Sequence, residues 1–136
     1  MPHLKQLPDD VRRVYLIGIA GTAMASLAGM LQQRGYDVGG SDEHVYPPMS
    51  TYLESLRIPF LEGYTKQHVE TFRPDVVVIG NAAAKTNAEA AATVEMDLPY
   101  TSMPEAIYNL FIKDKHSIVI AGTHGKTTTT SLMAWI

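Results

Sequence analysis

The chain has 136 residues, enough for one ordinary domain with a real hydrophobic core. Eleven Lys and Arg against 14 Asp and Glu leave a net charge of -3, which argues against a nucleic-acid partner. With 46% apolar residues, 18% charged residues and no cysteine, the composition excludes a disordered chain, disulfides and thiolate chemistry. No apolar run reaches the roughly 20 residues of a membrane span, and the start lacks a signal-peptide core, so a cytoplasmic protein with no membrane partner is expected.

Short apolar runs alternate with helix-like segments. Arg13 to Ile17 reads as a buried strand. Met24, Leu27, Ala28 and Leu31 share one face of a following helix, which Gly35 stops. Asp37 to Gly40 is a weak strand, Ser50 to Leu56 a short helix behind Pro47 and Pro48, and Pro59 to Leu61 a further strand. Thr65 opens a helix through Phe72, and Asp75 to Ile79 is a strongly β-branched strand. Asn87 caps an alanine-rich helix from Ala88 to Met96, and Leu98 to Thr101 is a strand. Ser102 and Glu105 have capping-box spacing ahead of a helical face carrying Ile107, Leu110 and Phe111. His116 to Ala121 reads as a strand and Thr127 to Ile136 as a helix. Strands alternating with helices, without hairpin signals, predict an α/β fold: a doubly wound, Rossmann-like parallel sheet. The last helix has no C-cap signal, so the chain reads as a piece of a longer protein that stops just inside a second domain.

Two glycine loops link a strand to a helix. Gly18-Ile19-Ala20-Gly21-Thr22-Ala23-Met24 suits a nucleotide diphosphate, because free N–H groups and the positive end of a helix dipole meet an anion there. The dinucleotide pattern G-x-G-x-x-G needs glycine where Ala20 and Ala23 stand. Asp42, at the end of the second strand, is placed to bind a ribose hydroxyl. A packing turn is the alternative. The second loop, Ala121 to Thr128, keeps the G-K-T of a Walker A motif but has Ile120 where the full motif needs glycine. Gly125 lets backbone wrap phosphates, Lys126 adds charge between them, and the Thr127 hydroxyl can ligate Mg²⁺. A lysine at a helix start costs about 0.3–1 kcal/mol without an anion, which favours a triphosphate site. His124 touches a phosphate or packs the loop. The five histidines show no metal-ligand spacing. Gly80, Asn81 and Asn87 either line a site beyond a strand end or serve as turn and cap residues. The Val45–Ser50 loop, stiffened by its proline pair, covers ligand or only sets the next helix.

Together GIAGTAM at 18–24, GSD at 40–42, GNA at 80–82, Asn87 and AGTHGKTTT at 121–129 resemble the Mur ligase family of peptidoglycan synthesis. The shortened second loop matches that family's form. The VYPPMS loop and GNAAAKTN at 80–87 look most like the members that join a whole peptide, L-Ala-γ-D-Glu-meso-diaminopimelate, to UDP-N-acetylmuramate in recycling; those that add L-alanine are the alternative. The resemblance implies an ATP-dependent ligase working through an acyl phosphate, with ATP and Mg²⁺ required. It implies that residues 1–115 form a Rossmann-like UDP-N-acetylmuramate-binding domain. Residues 116–136 would be the first strand, P-loop and helix of a truncated ATP-binding domain. By motif match, Gly18, Ala20, Gly21, Thr22, Ser41, Asp42, Asn81 and Asn87 would meet the sugar nucleotide. Gly122, Thr123, His124, Gly125, Lys126, Thr127 and Thr128 would hold ATP phosphates, with Lys126 catalytic and Thr127 on the metal. The chain alone is then expected to be inactive, with its exposed tail docking back or driving self-association. An NAD-binding oxidoreductase domain fits the first loop and Asp42 but leaves the second loop without a role. A small P-loop NTPase and a free-standing UDP-sugar-binding module are the other rivals.

Overall fold

A computed structural model of the chain describes residues 10–80 and 86–136. Five parallel strands, β1 (Arg13–Ile17), β2 (Asp37–Asp42), β3 (Phe60–Glu62), β4 (Val76–Ile79) and β5 (Tyr100–Ser102), form one sheet in the order β3-β2-β1-β4-β5. The helices are α1 (Thr22–Gln33), α2 (Met49–Ser55), α3 (Lys66–Phe72), α4 (Ala88–Glu95), α5 (Met103–Ile107) and α6 (Lys126–Trp135). A π-helical turn, Tyr108–Ile112, continues α5, with Lys113 N–H donating to the Tyr108 carbonyl at 2.8 Å.

The period of two along β1 sorts its side chains between the faces. Val14 and Leu16 pack with Leu27 and Leu31 of α1, Leu53 of α2 and Ala106 of α5. Tyr15 and Ile17 pack on the other face with Val69 of α3, and Ala90 of α4 joins them. Helices therefore cover both sides, as the β-branched runs predict. Fully burying an aliphatic side chain contributes about 2 kcal/mol. The exposed Arg13–Asp37 pair, at 3.0 Å, contributes ~0.5 kcal/mol, so apolar layers and not ion pairs hold the sheet.

The expected doubly wound sheet is present, and most boundaries move by a residue or two. β2 runs on to Asp42 because β3 pairs with Gly40, Ser41 and Asp42. Asn87 caps α4 as expected, its Oδ1 accepting from Glu89 N–H at 2.9 Å and Ala90 N–H at 3.1 Å. Ser102 and Glu105 form the expected capping box, with Glu105 accepting from Ser102 N–H at 3.2 Å. The expected strand at 116–121 does not form. A strand exists only with a partner for its ladder, and this segment pairs with none of β1–β5. Val119 of this segment is 85% and Trp135 of α6 91% exposed.

Candidate functional site

The strand order reverses between β1 and β4, and ligands in open α/β sheets bind beyond the strand ends at such a point. There the first glycine loop turns at Gly18, whose φ of +86° is a left-handed value that side chains resist. The loop spends its own amides on its shape. Gly18 and Ile19 N–H both donate to the Ser41 carbonyl, at 2.8 and 3.0 Å. Ala20 N–H donates to Asp42 Oδ2 at 2.9 Å, and Gly21 N–H to the Gly18 carbonyl at 3.2 Å.

The donors that remain belong to α1. Its first intrahelical bond runs from Ala25 N–H to the Gly21 carbonyl at 2.8 Å, so the N–H groups of Thr22, Ala23 and Met24 have no acceptor within the helix. Gly21 provides no side-chain cap, and the first turn carries no acid. The helix end is thus bare and carries the positive pole of the helix dipole, a setting that suits an anion. It opens on a cleft of about 470 Å³, with Gly18 and Gly21 at the loop, Gly80 at the end of β4, and His44, Tyr46 and Pro48 on the opposite wall. Tyr46 and Pro48 bring the VYPPMS loop to the cleft. The peptide bond between Pro47 and Pro48 is cis.

Asp42 stands at the edge of this cleft and of a second, of about 530 Å³, which also includes Tyr64, Thr86 and Asn87. Asp42 Oδ1 accepts from Glu43 N–H at 2.8 Å and from the Tyr64 hydroxyl at 3.4 Å. Burial first, and then the Asp42 carboxylate, push the Tyr64 hydroxyl pKa up, so it stays a donor at neutral pH.

Gly18, Ala20, Gly21, Thr22 and Asp42 therefore meet at one cleft, and Asn87 lies on the adjoining one. Ser41 does not face either. Its side chain is fully buried and donates to Glu89; only its carbonyl serves the loop. Asn81 lies outside the described residues. Sequence reasoning passed over Tyr64 and Glu89. A lone half-buried tyrosine gives no pattern, and Glu89 reads as an ordinary first-turn acid on a helix.

The second loop is built differently. Gly125 is left-handed at φ +77° and starts α6, whose first bond runs from Thr129 N–H to the Gly125 carbonyl at 3.0 Å. The Lys126 ammonium donates to the Gly122 carbonyl at 2.7 Å, and the Thr123 hydroxyl and His124 Nδ1 lie 3.0 Å apart. Every residue from 121 to 136 is exposed. The bare first turn, its lack of acids and the folded-back lysine fit triphosphate oxygens. Thr127 supplies a single hydroxyl beside them. Among the described residues no three His, Asp or Glu side chains gather to hold a metal. No helix of the described residues is long and apolar enough to cross a membrane.

Known proteins are similar to this chain in sequence and fold. Residues 13–115 match the family described as Mur ligase family, catalytic domain. The chain is 43% identical over 124 residues to the UDP-N-acetylmuramate–L-alanyl-γ-D-glutamyl-meso-2,6-diaminoheptandioate ligase of Escherichia coli K12, covering 91% of this chain and 27% of that protein. It is 36% identical over 128 residues to the UDP-N-acetylmuramate–L-alanine ligase of Lactobacillus acidophilus, covering 94% of this chain and 29% of that one. The murein peptide ligase structure from Psychrobacter arcticus superposes with a TM-score of 0.86 at 41% identity, covering 91% of this chain and 26% of the other. The chain thus spans little more than a quarter of the relatives it matches.

Proposed function

Because this chain belongs to the Mur ligase family, we propose that its β1–β4 cleft binds the diphosphate of UDP-N-acetylmuramate for an ATP-dependent peptide ligase of peptidoglycan recycling. One observation carries the reading: the uncapped head of α1, where Thr22 and Met24 line the cleft, lies at the switch point of the sheet. The diphosphate sits on Thr22–Met24, with Gly18, Ala20 and Gly21 shaping the loop beneath it. The uridine extends past Asp42 and Tyr64 toward Asn87. Ser41 serves through its carbonyl, and Asn81 is assigned to the sugar nucleotide by its motif position alone.

Residues 1–115 make up this sugar-nucleotide unit, and 116–136 contribute to an ATP-binding unit. There Gly122, Thr123, His124, Gly125, Lys126, Thr127 and Thr128 hold the phosphates. Lys126 leaves the Gly122 carbonyl to neutralise phosphate charge, and Thr127 offers its hydroxyl to Mg²⁺. ATP supplies the phosphoryl group that activates the muramoyl carboxylate for attack by the peptide amine. A nucleotide sugar and ATP as co-substrates fit a cytoplasmic reaction. The higher identity to the peptide-adding relative, 43% against 36%, favours a peptide over L-alanine as the second substrate. The exposed Leu132 and Trp135 of α6 support self-association of the isolated chain.

Calorimetric titration with UDP-N-acetylmuramate, UDP and NAD tests the reading. Saturable binding of the first two and none of NAD is expected. Saturation by NAD alone would replace the reading with a dinucleotide-binding domain. The 136-residue chain mixed with ATP, sugar nucleotide and peptide is expected to make no ligation product, and detectable product would contradict the division of labour proposed above.

A further inference from the structure

Glu89, on the first turn of α4, is fully buried and lines neither cleft. A buried carboxylate persists only when its oxygens are bonded or paired. Here β1, β2 and α3 supply the partners. The Tyr15 hydroxyl donates to Oε1 at 3.3 Å, and the Thr65 N–H at the start of α3 does so at 3.3 Å. His68 Nδ1 lies 2.8 Å from the same oxygen, and the Ser41 hydroxyl donates to Oε2. Burial, with Glu89 contributing, raises the Tyr15 hydroxyl pKa, so Tyr15 stays protonated and a donor.

Ser41 is the link between this cluster and the glycine loop. Its hydroxyl is held by Glu89, its carbonyl accepts the N–H groups of Gly18 and Ile19, and its neighbour Asp42 accepts that of Ala20. A shift of Ser41 therefore moves three loop amides at once. We propose that Glu89 is a positioning residue: acting through Ser41, it fixes the end of β2 and so holds the glycine loop and Asp42 where the α1 amides face the ligand. Only the binding arm of the test below rests on the sugar-nucleotide reading.

Glu89→Gln keeps the shape but sets an NH₂ group against donors. In ligand-free protein, amide exchange at Gly18, Ile19 and Ala20 should speed up roughly ten-fold, while Val77 and Thr101 keep their protection. Ser41→Ala, which cuts only the link, should reproduce that pattern, and combining it with Glu89→Gln should add little. Unchanged loop amides in Ser41→Ala, or equal loosening of the whole sheet, would overturn the proposal, and Ser41→Ala decides it if Glu89→Gln does not fold. In the binding arm, the Kd for UDP-N-acetylmuramate should rise roughly ten-fold in Glu89→Gln. Wild-type protein that ignores the sugar nucleotide would overturn the ligand reading alone, because the exchange arm needs no ligand.

Discussion

The chain contains the same device twice, a glycine loop opening a helix, in two different settings. The first loop is held from outside, by the Ser41 carbonyl, the Asp42 carboxylate and, behind them, buried Glu89. The second is held from within: its lysine bonds to its own Gly122 carbonyl, and residues 121–136 are exposed throughout. Both leave the first amides of a helix free, so both can seat phosphate. Only the first has its geometry set by a packed core before any ligand arrives. Preorganisation lowers the cost of binding, so the first loop is expected to bind its ligand more tightly in this chain.

Substitutions can break this contrast. The largest effect is expected from Glu89→Ala, which strands Tyr15, Ser41 and His68 around an empty site. Urea unfolding should show a loss of about 3 kcal/mol. Gly40→Ala comes next, because a methyl there runs into the Leu16 carbonyl oxygen and the Ile19 side chain. It should cost about 2 kcal/mol by the same measurement. In the second loop, by contrast, a methyl from Gly122→Ala meets nothing closer than the His124 carbonyl at 3.6 Å. It should stay within about 0.5 kcal/mol of wild type. Lys126→Ala should be equally mild for stability, at about 0.5 kcal/mol or less, yet abolish any Mg-ATP response seen in a titration.

A pH-dependent effect lies at the opposite end of the sheet. Asp75 accepts the N–H groups of Arg13 and Arg12 at 2.8 and 2.9 Å, and these bonds hold its pKa below the usual carboxylate value. Its stabilising contribution is therefore present above that usual value and lost as pH falls through the lower folded one. Asp75→Asn should cost less than about 1 kcal/mol at neutral pH, and the gap to wild type should close in acid. A pH series of melting temperatures checks the sign.

Much of the fold was legible because its strands declare themselves. RVYLI and DVVVI are apolar, β-branched and long enough to be read alone. The end of β2 was not, since Gly39 and Gly40 have poor strand propensity and the pairing that extends it comes from β3. The error at 116–121 is the converse case: an apolar HSIVIA run has strand propensity, but no strand of this sheet pairs with it. At the cleft, the glycines and Asp42 follow from spacing alone. Tyr64 and Glu89 do not, because their roles arise only when α3 and α4 pack against the sheet.

The central claim is that the head of α1 is the anion seat of a sugar-nucleotide cleft. A heteronuclear NMR titration of the chain with UDP-N-acetylmuramate tests it most directly. Saturable amide shifts at Thr22, Ala23, Met24 and Asp42, with Lys126–Trp135 unmoved, are the predicted result. Those four amides remaining still at saturating sugar nucleotide, or shifting with NAD instead, would contradict it.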